Sequence, residues 1–249
     1  MTLRCDIPKF TLPIIDHIHT LITEKNGPRL RELNIVKTPL RSSLLYQLVF
    51  LWPGIQSLGI GCKTYATPPK VPSKLRLRKL AISCCELLPS EVRSWLLSGS
   101  RDSMRILELE GEPGPSALDL VAEFGDGIQA LRIPCFNKTS ARVVERCKNL
   151  KQLTLILHHR SSLYRMWFPS SITQIAIYNQ TGQPLQRNIG QIIRILPSVR
   201  IVIFGGKAPE EPHFLVLKKD ERAISLVVDK RTSGARSVST VADAWILYS

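Results

Sequence analysis

The chain has 249 residues, 44% hydrophobic and 6% aromatic, with a formal net charge of +14. That length and apolar content suit one large globular or repeat unit and exclude a disordered polyelectrolyte. No run reaches about eighteen uninterrupted apolar residues, so no membrane span is expected.

From the N-terminus, MTLRCDIPKFTLPIIDHIH lacks a sustained apolar core and a small-residue cleavage site, so it does not read as a secretory signal. An apolar triplet of the form L-x-x-L-x-L then returns along the chain. It reads Leu30-Leu33-Ile35, Ile55-Leu58-Ile60, Leu77-Leu80-Ile82, Met104-Leu107-Leu109, Ile128-Leu131-Ile133, Leu150-Leu153-Leu155, Ile172-Ile175-Ile177 and Val199-Val202-Phe204. The middle residues are separated by 25, 22, 27, 24, 22, 22 and 27 positions. Such a period is the signature of a leucine-rich repeat, in which each unit contributes one short strand to a parallel sheet. The gaps carry short helical patterns: Ser42 to Leu51 before Pro53, Ser90 to Leu97 after Pro89, Leu118 to Phe124 before Gly125, Ser140 to Cys147, and Leu185 to Leu196 before Pro197. The predicted fold is an α/β leucine-rich-repeat solenoid of about eight irregular repeats over residues 1–206, with a parallel inner sheet and short helices outside. Phe214–Leu217 and Ala223–Val228 are expected as a terminal pair of strands within a capping segment, residues 207–249, whose part from Arg231 to Ser239 is read as a mobile tail.

In each triplet alternate residues face away from the core. That outward set includes Glu32, Asn34, Lys79, Ile106, Glu108, Arg132, Gln152 and Gln174, flanked by Glu110 and Tyr178. Glu32, Lys79, Glu108, Glu110, Arg132, Gln152, Gln174 and Tyr178 are the candidate protein-binding residues. The face is mixed in charge, slightly acidic in its middle and short of aromatic rings, which disfavours a nucleic-acid channel. Residues 1–80 carry 13 Lys and Arg against 4 Asp and Glu, so the basic excess is concentrated early in the chain. Lys70, Lys74, Arg76, Arg78 and Lys79 are its densest cluster, most simply a solvated loop leading into the third strand. A weaker alternative is a nucleic-acid or anionic-membrane binder using residues 63–79.

Enzyme motifs are absent: there is no H-E-x-x-H, G-x-S-x-G or G-x-G-x-x-G, and Gly205-Gly206-Lys207 reads as a turn after the eighth strand. His158 and His159 are adjacent on a strand and diverge, His17 and His19 diverge on a helix, and His213 is isolated. The six cysteines form no C-x-x-C pair and have no metal spacing with a histidine. Cys62, Cys84 and Cys135 each follow a triplet and read as packing residues in a reducing cytoplasm or nucleus. No cofactor, no metal and no catalysis are expected. Glu108 and Glu110 share one face but lack a partnering nucleophile, so solvation or docking of a basic partner outweighs acid–base work. Trp167-Phe168-Pro169 reads as buried packing outside the sheet.

The segments LRELNI, LRKLAI, MRILELEG, IQALRI, LKQLTL, PSSITQIAIYN and LPSVRIVIFGG resemble the leucine-rich-repeat region of fungal F-box proteins, over about residues 10–206. The resemblance implies a role in which an F-box docks on the adaptor of a cullin-type ubiquitin ligase and the repeats present a protein substrate. No F-box is evident before the first repeat, and Leu88-Pro89-Ser90-Glu91-Val92, which looks like the opening of one, sits inside the repeat register. The adaptor is therefore an expected partner only if an F-box module lies upstream. The alternative is a stand-alone repeat scaffold or inhibitor.

Overall fold

The computed structural model describes residues 2–6, 30–37, 43–61, 66–83, 88–134, 137–157, 167–179, 192, 194–196, 198–205, 213–220 and 223–229. Strands β1 (Thr2–Asp6), β2 (Glu32–Lys37), β3 (Ser57–Ile60), β4 (Lys79–Ile82), β5 (Ile106–Leu109), β6 (Ala130–Ile133), β7 (Gln152–Leu157), β8 (Gln174–Asn179) and β9 (Arg200–Gly205) lie side by side in chain order. Every pairing from β1 to β9 is parallel. β10 (His213–Asp220) and β11 (Ala223–Asp229) then add antiparallel at the β9 edge, as a hairpin. The sheet is open, with β1 and β11 at its two edges.

The repeated triplets are what set the register. Leu33, Leu58, Leu80, Leu107, Leu131, Leu153 and Ile175 form one row across β2 to β8. The eighth member of that row is Ile201, not Val202, which pairs instead with Ala176 on the alternate row. The expected eighth triplet is thus displaced by one residue, and with a period of two such a slip exchanges the faces. β1 extends the row at the other end, where Leu3 pairs with Leu33. This strand was not foreseen in the sequence.

The rows alternate as the pleat requires: Leu33 and Ile35 are fully buried, while Glu32 and Asn34, which alternate with them, are half-buried. Just ahead of each strand from β2 to β7 one carbonyl accepts two successive amides from the next unit. Arg31 O takes Gln56 N and Ser57 N, Arg78 O takes Arg105 N and Ile106 N, and Lys151 O takes Thr173 N and Gln174 N. These bonds lock neighbouring units together before the ladder begins.

Helices α1 (Leu44–Leu51), α2 (Ser90–Leu97), α3 (Pro115–Phe124) and α4 (Lys138–Arg146) occupy connections between strands. α2 coincides with its predicted span, and the Leu88–Val92 stretch is its approach and first turn, between β4 and β5. α3 starts earlier than expected because Pro115 is pre-set for the first helical turn. α4 also starts earlier, because the Asn137 side chain accepts the Ser140 amide at 2.8 Å. Most of Leu185 to Leu196 lies outside the described residues. α3 buries Ala117, Leu120, Val121 and Phe124, the spacing of one helical face. Those side chains, with Val143 and Val144 of α4 and Val92, Trp95, Leu96 and Leu97 of α2, share one core with the strand triplets. Each fully buried Leu or Ile in that core contributes about 1.5–3 kcal/mol of transfer free energy.

The connection from β3 to β4 differs. Residues 66–78 include Pro68, Pro69 and Pro72 and form no helix. The stretch is tied down by Tyr46 Oη donating to Ala66 O and by Trp95 Nε1 donating to Val71 O at 2.6 Å. Tyr46 and Phe50 both meet Trp95 edge to face, at 4.8 and 5.8 Å between ring centroids. No helix among the described residues is long and apolar enough to cross a membrane.

Candidate protein-binding face

The outward side of the sheet carries three rows. The first runs Glu32, Ser57, Lys79, Ile106, Ala130, Gln152, Gln174 and Arg200. The second runs Asn34, Gly59, Ala81, Glu108, Arg132, Thr154, Ala176 and Val202. In the third, Ile156 pairs with Tyr178. All the predicted face residues except Glu110 therefore sit on strands of one surface. Glu110 lies just past the end of β5, exposed, with its amide donating to Ile82 O.

Three charges meet in the middle. Lys79 Nζ lies 3.0 Å from Glu108 Oε1, and their side chains are 18% and 10% exposed. The contact is diagonal, since Lys79 is in register with Ile106, two residues before Glu108. Arg132 stands opposite Glu108 on β6. The arrangement is a cation–anion–cation ladder across β4, β5 and β6. The expectation of an acidic middle does not hold there: Glu108 is neutralised by Lys79, and Glu108 and Glu110 do not form an exposed carboxylate pair. At so low an exposure the cost of desolvating both charges offsets much of their attraction, so the Lys79–Glu108 pair fixes geometry more than it adds stability.

Arg132 Nε is buried, with no hydrogen-bond partner among the described residues. Nearby, burial holds the Tyr178 phenol above its usual range, an effect opposed by the Arg132 charge and reinforced by that of Glu108. Tyr178 thus belongs to the same electrostatic neighbourhood as the ladder. Gln152 and Gln174 follow as half-buried amides that can both donate and accept. Glu32 stands two strands from Lys79, roughly 10 Å away.

Two contributors are not among the candidate binding residues, although Asn34 belongs to the outward set. The Asn34 carboxamide lies over Gly59, and a Cβ there would meet Asn34 Oδ1 at 2.6 Å. Arg200 joins the first row because of the one-residue displacement in β9. The hydrophobic runs gave no sign of that displacement.

Other sequence readings divide. Phe168 and Pro169 are buried, but Trp167 is 57% exposed, so the Trp-Phe-Pro segment is not packed as a whole. Lys70, Lys74, Arg76 and Arg78 are exposed, while Lys79 belongs to the sheet face. His17, His19, His158, His159, Cys62, Cys84, Cys85, Cys135, Gly206 and Lys207 lie outside the described residues, as do Arg231 to Ser239. Among the described residues no three or more His, Cys, Asp or Glu side chains are gathered as a metal site would need. No family model, curated protein or solved structure matches the chain.

Proposed function

We propose that the chain is a leucine-rich-repeat-type solenoid that works without catalysis, holding another protein against the outward face of its parallel sheet. The observation that carries this reading is the Lys79–Glu108–Arg132 ladder with Tyr178, Gln152 and Gln174 beside it. It offers fixed charges of both signs, amides and a phenol on one rigid surface, a chemistry suited to polar protein recognition. Arg132 as a whole is only half-buried, so its guanidinium suits an incoming carboxylate. Substrate recognition for a cullin-type ubiquitin ligase is the biology that the sequence resemblance favours, with cytoplasm or nucleus as its site.

A photo-crosslinking residue at Gln152 is expected to capture a protein partner in cells, whereas the same residue at exposed Glu123 on α3 is not. Equal capture at both positions rejects the sheet face. Recovery of cullin and its adaptor with the full gene product supports the ligase role. Capture of a partner without either favours a stand-alone scaffold.

A further inference from the structure

We infer that Thr67 is a phosphoryl acceptor for a proline-directed protein kinase that also selects a basic residue three positions later. The site lies in the connection from β3 to β4, and the reading of the sheet face plays no part in it.

The chain there reads Ala66-Thr67-Pro68-Pro69-Lys70-Val71-Pro72. Proline after the hydroxyl residue is a chemical selector. It has no N–H, so an active site with no acceptor at that position takes proline without loss. Any other residue there would bury an unpaired amide. Pro68 also holds Thr67 in extended backbone, which can be threaded through a cleft. Lys70 offers a cation to an acidic group on the enzyme. It pairs with no carboxylate among the described residues, so that charge is available. Among the described residues, Thr67 alone of the serines and threonines is followed by proline.

The fold leaves the acceptor within reach. Thr67 and Lys70 are exposed, and Pro68 and Pro69 are half-buried. The Thr67 hydroxyl makes no hydrogen bond to a described residue. Thr173 is exposed too, but its Oγ1 donates to Lys151 O at 3.2 Å. Residues 66–72 belong to no helix or strand, and they make no backbone–backbone hydrogen bond among the described residues. Two side-chain donors pin the span at its ends: Tyr46 Oη on Ala66 O, and Trp95 Nε1 on Val71 O at 2.6 Å. Lifting residues 67–70 into an active site therefore breaks these two bonds and no helix or ladder.

In the transfer, Thr67 Oγ1 attacks the terminal phosphorus of a nucleoside triphosphate. The Oγ1–P bond forms as the bridging P–O bond breaks, and the nucleoside diphosphate leaves with that electron pair. The hydroxyl proton passes to a carboxylate of the kinase. Residues 66–78 contain Lys70, Lys74, Arg76 and Arg78 and no acidic residue. A phosphate of about −2 therefore halves the positive charge of this connection.

The test incubates the full, folded chain with a purified proline-directed kinase and ATP, and locates phosphate by fragment mass spectrometry. Location matters because Thr38-Pro39-Leu40-Arg41 repeats the pattern in the sequence, outside the described residues. Thr67 is expected to be modified and Thr173 not. Lys70→Glu is expected to lower kcat/KM at Thr67 about tenfold or more. Pro68→Ala is expected to lower it about a hundredfold. Neither loss can come from misfolding, because an unfolded chain presents Thr67 more freely. Modification of Thr67 in a free peptide of residues 61–75 but not in the folded chain overturns the proposal. So does an unchanged rate in either variant, or equal modification of Thr173.

Discussion

Cys147 closes α4 with no exposed surface, and burial, reinforced by the Asp126 carboxylate, pushes its thiol from 9.0 up to about 12. In the unfolded chain the thiol loses its proton near 9.0, whereas in the fold it keeps it until about 12. Its contribution to stability is therefore complete below the unfolded value and is lost as pH rises through that window, at about 1.4 kcal/mol per pH unit. Tyr178 acts in the same direction, its phenol also being held above the ordinary 10.0. The urea midpoint is expected to fall steadily between about pH 9 and pH 11, and less steeply in a Cys147→Ala variant; identical slopes for the two proteins contradict this account. Ser100 gives a test independent of charge. It is fully buried, accepts the Leu77 amide at 3.0 Å and donates to Leu75 O. Ser100→Ala orphans both groups and is expected to lower unfolding free energy by about 1–3 kcal/mol, measured by urea titration at neutral pH. An unchanged midpoint shows that water satisfies them.

At the scale of elements, neighbouring units approach closely where glycine ends a helix. A Cβ on Gly99, after α2, would meet Leu75 O at 2.6 Å, and one on Gly125, after α3, would meet Arg146 O at 2.8 Å. Backbone cannot yield as a flexible side chain does, so Gly99→Ala is expected to cost about 1–3 kcal/mol. Gly54→Ala, in open space, serves as the control. A thermal midpoint for Gly99→Ala equal to that of the control contradicts the close contact. The same scale explains which elements could be read from sequence. β2 to β8 were legible because each places a buried Leu or Ile at the middle of its triplet, between more polar neighbours. β9 was not, because Ile201-Val202-Ile203-Phe204 is apolar throughout and offers no contrast of period two. β1 was hidden because Leu3 stands 30 residues before Leu33, beyond the spacing of the other units. The N-terminus of α4 escaped notice because its cap is a side chain three residues before the expected start. For the binding face, alternation alone placed Lys79, Glu108 and Arg132 on one side of the sheet. The diagonal pairing that neutralises Glu108 depends on register between strands 27 residues apart, which no local pattern reports.

Across the whole molecule the sheet is serial: every strand from β2 to β10 touches only its predecessor and successor in the chain. Stability in such an arrangement is carried by nearest neighbours, so damage at one strand spreads outward and fades. Leu131 offers the clearest test, being 2% exposed at the centre of β6, in register with Leu107 on one side and Leu153 on the other. Leu131→Ala removes a core side chain and is expected to cost about 2–5 kcal/mol. The distribution of that loss is more informative than its size. Hydrogen exchange is expected to quicken most in β5, β6 and β7, less in β4 and β8, and least in β2, because each interface absorbs part of the perturbation. Uniform acceleration over all described strands contradicts the serial picture and shows a single cooperative core. In the serial case Lys79 and Arg132, on strands flanking β5, lose their alignment together, so a partner held across the ladder dissociates before the outer strands open.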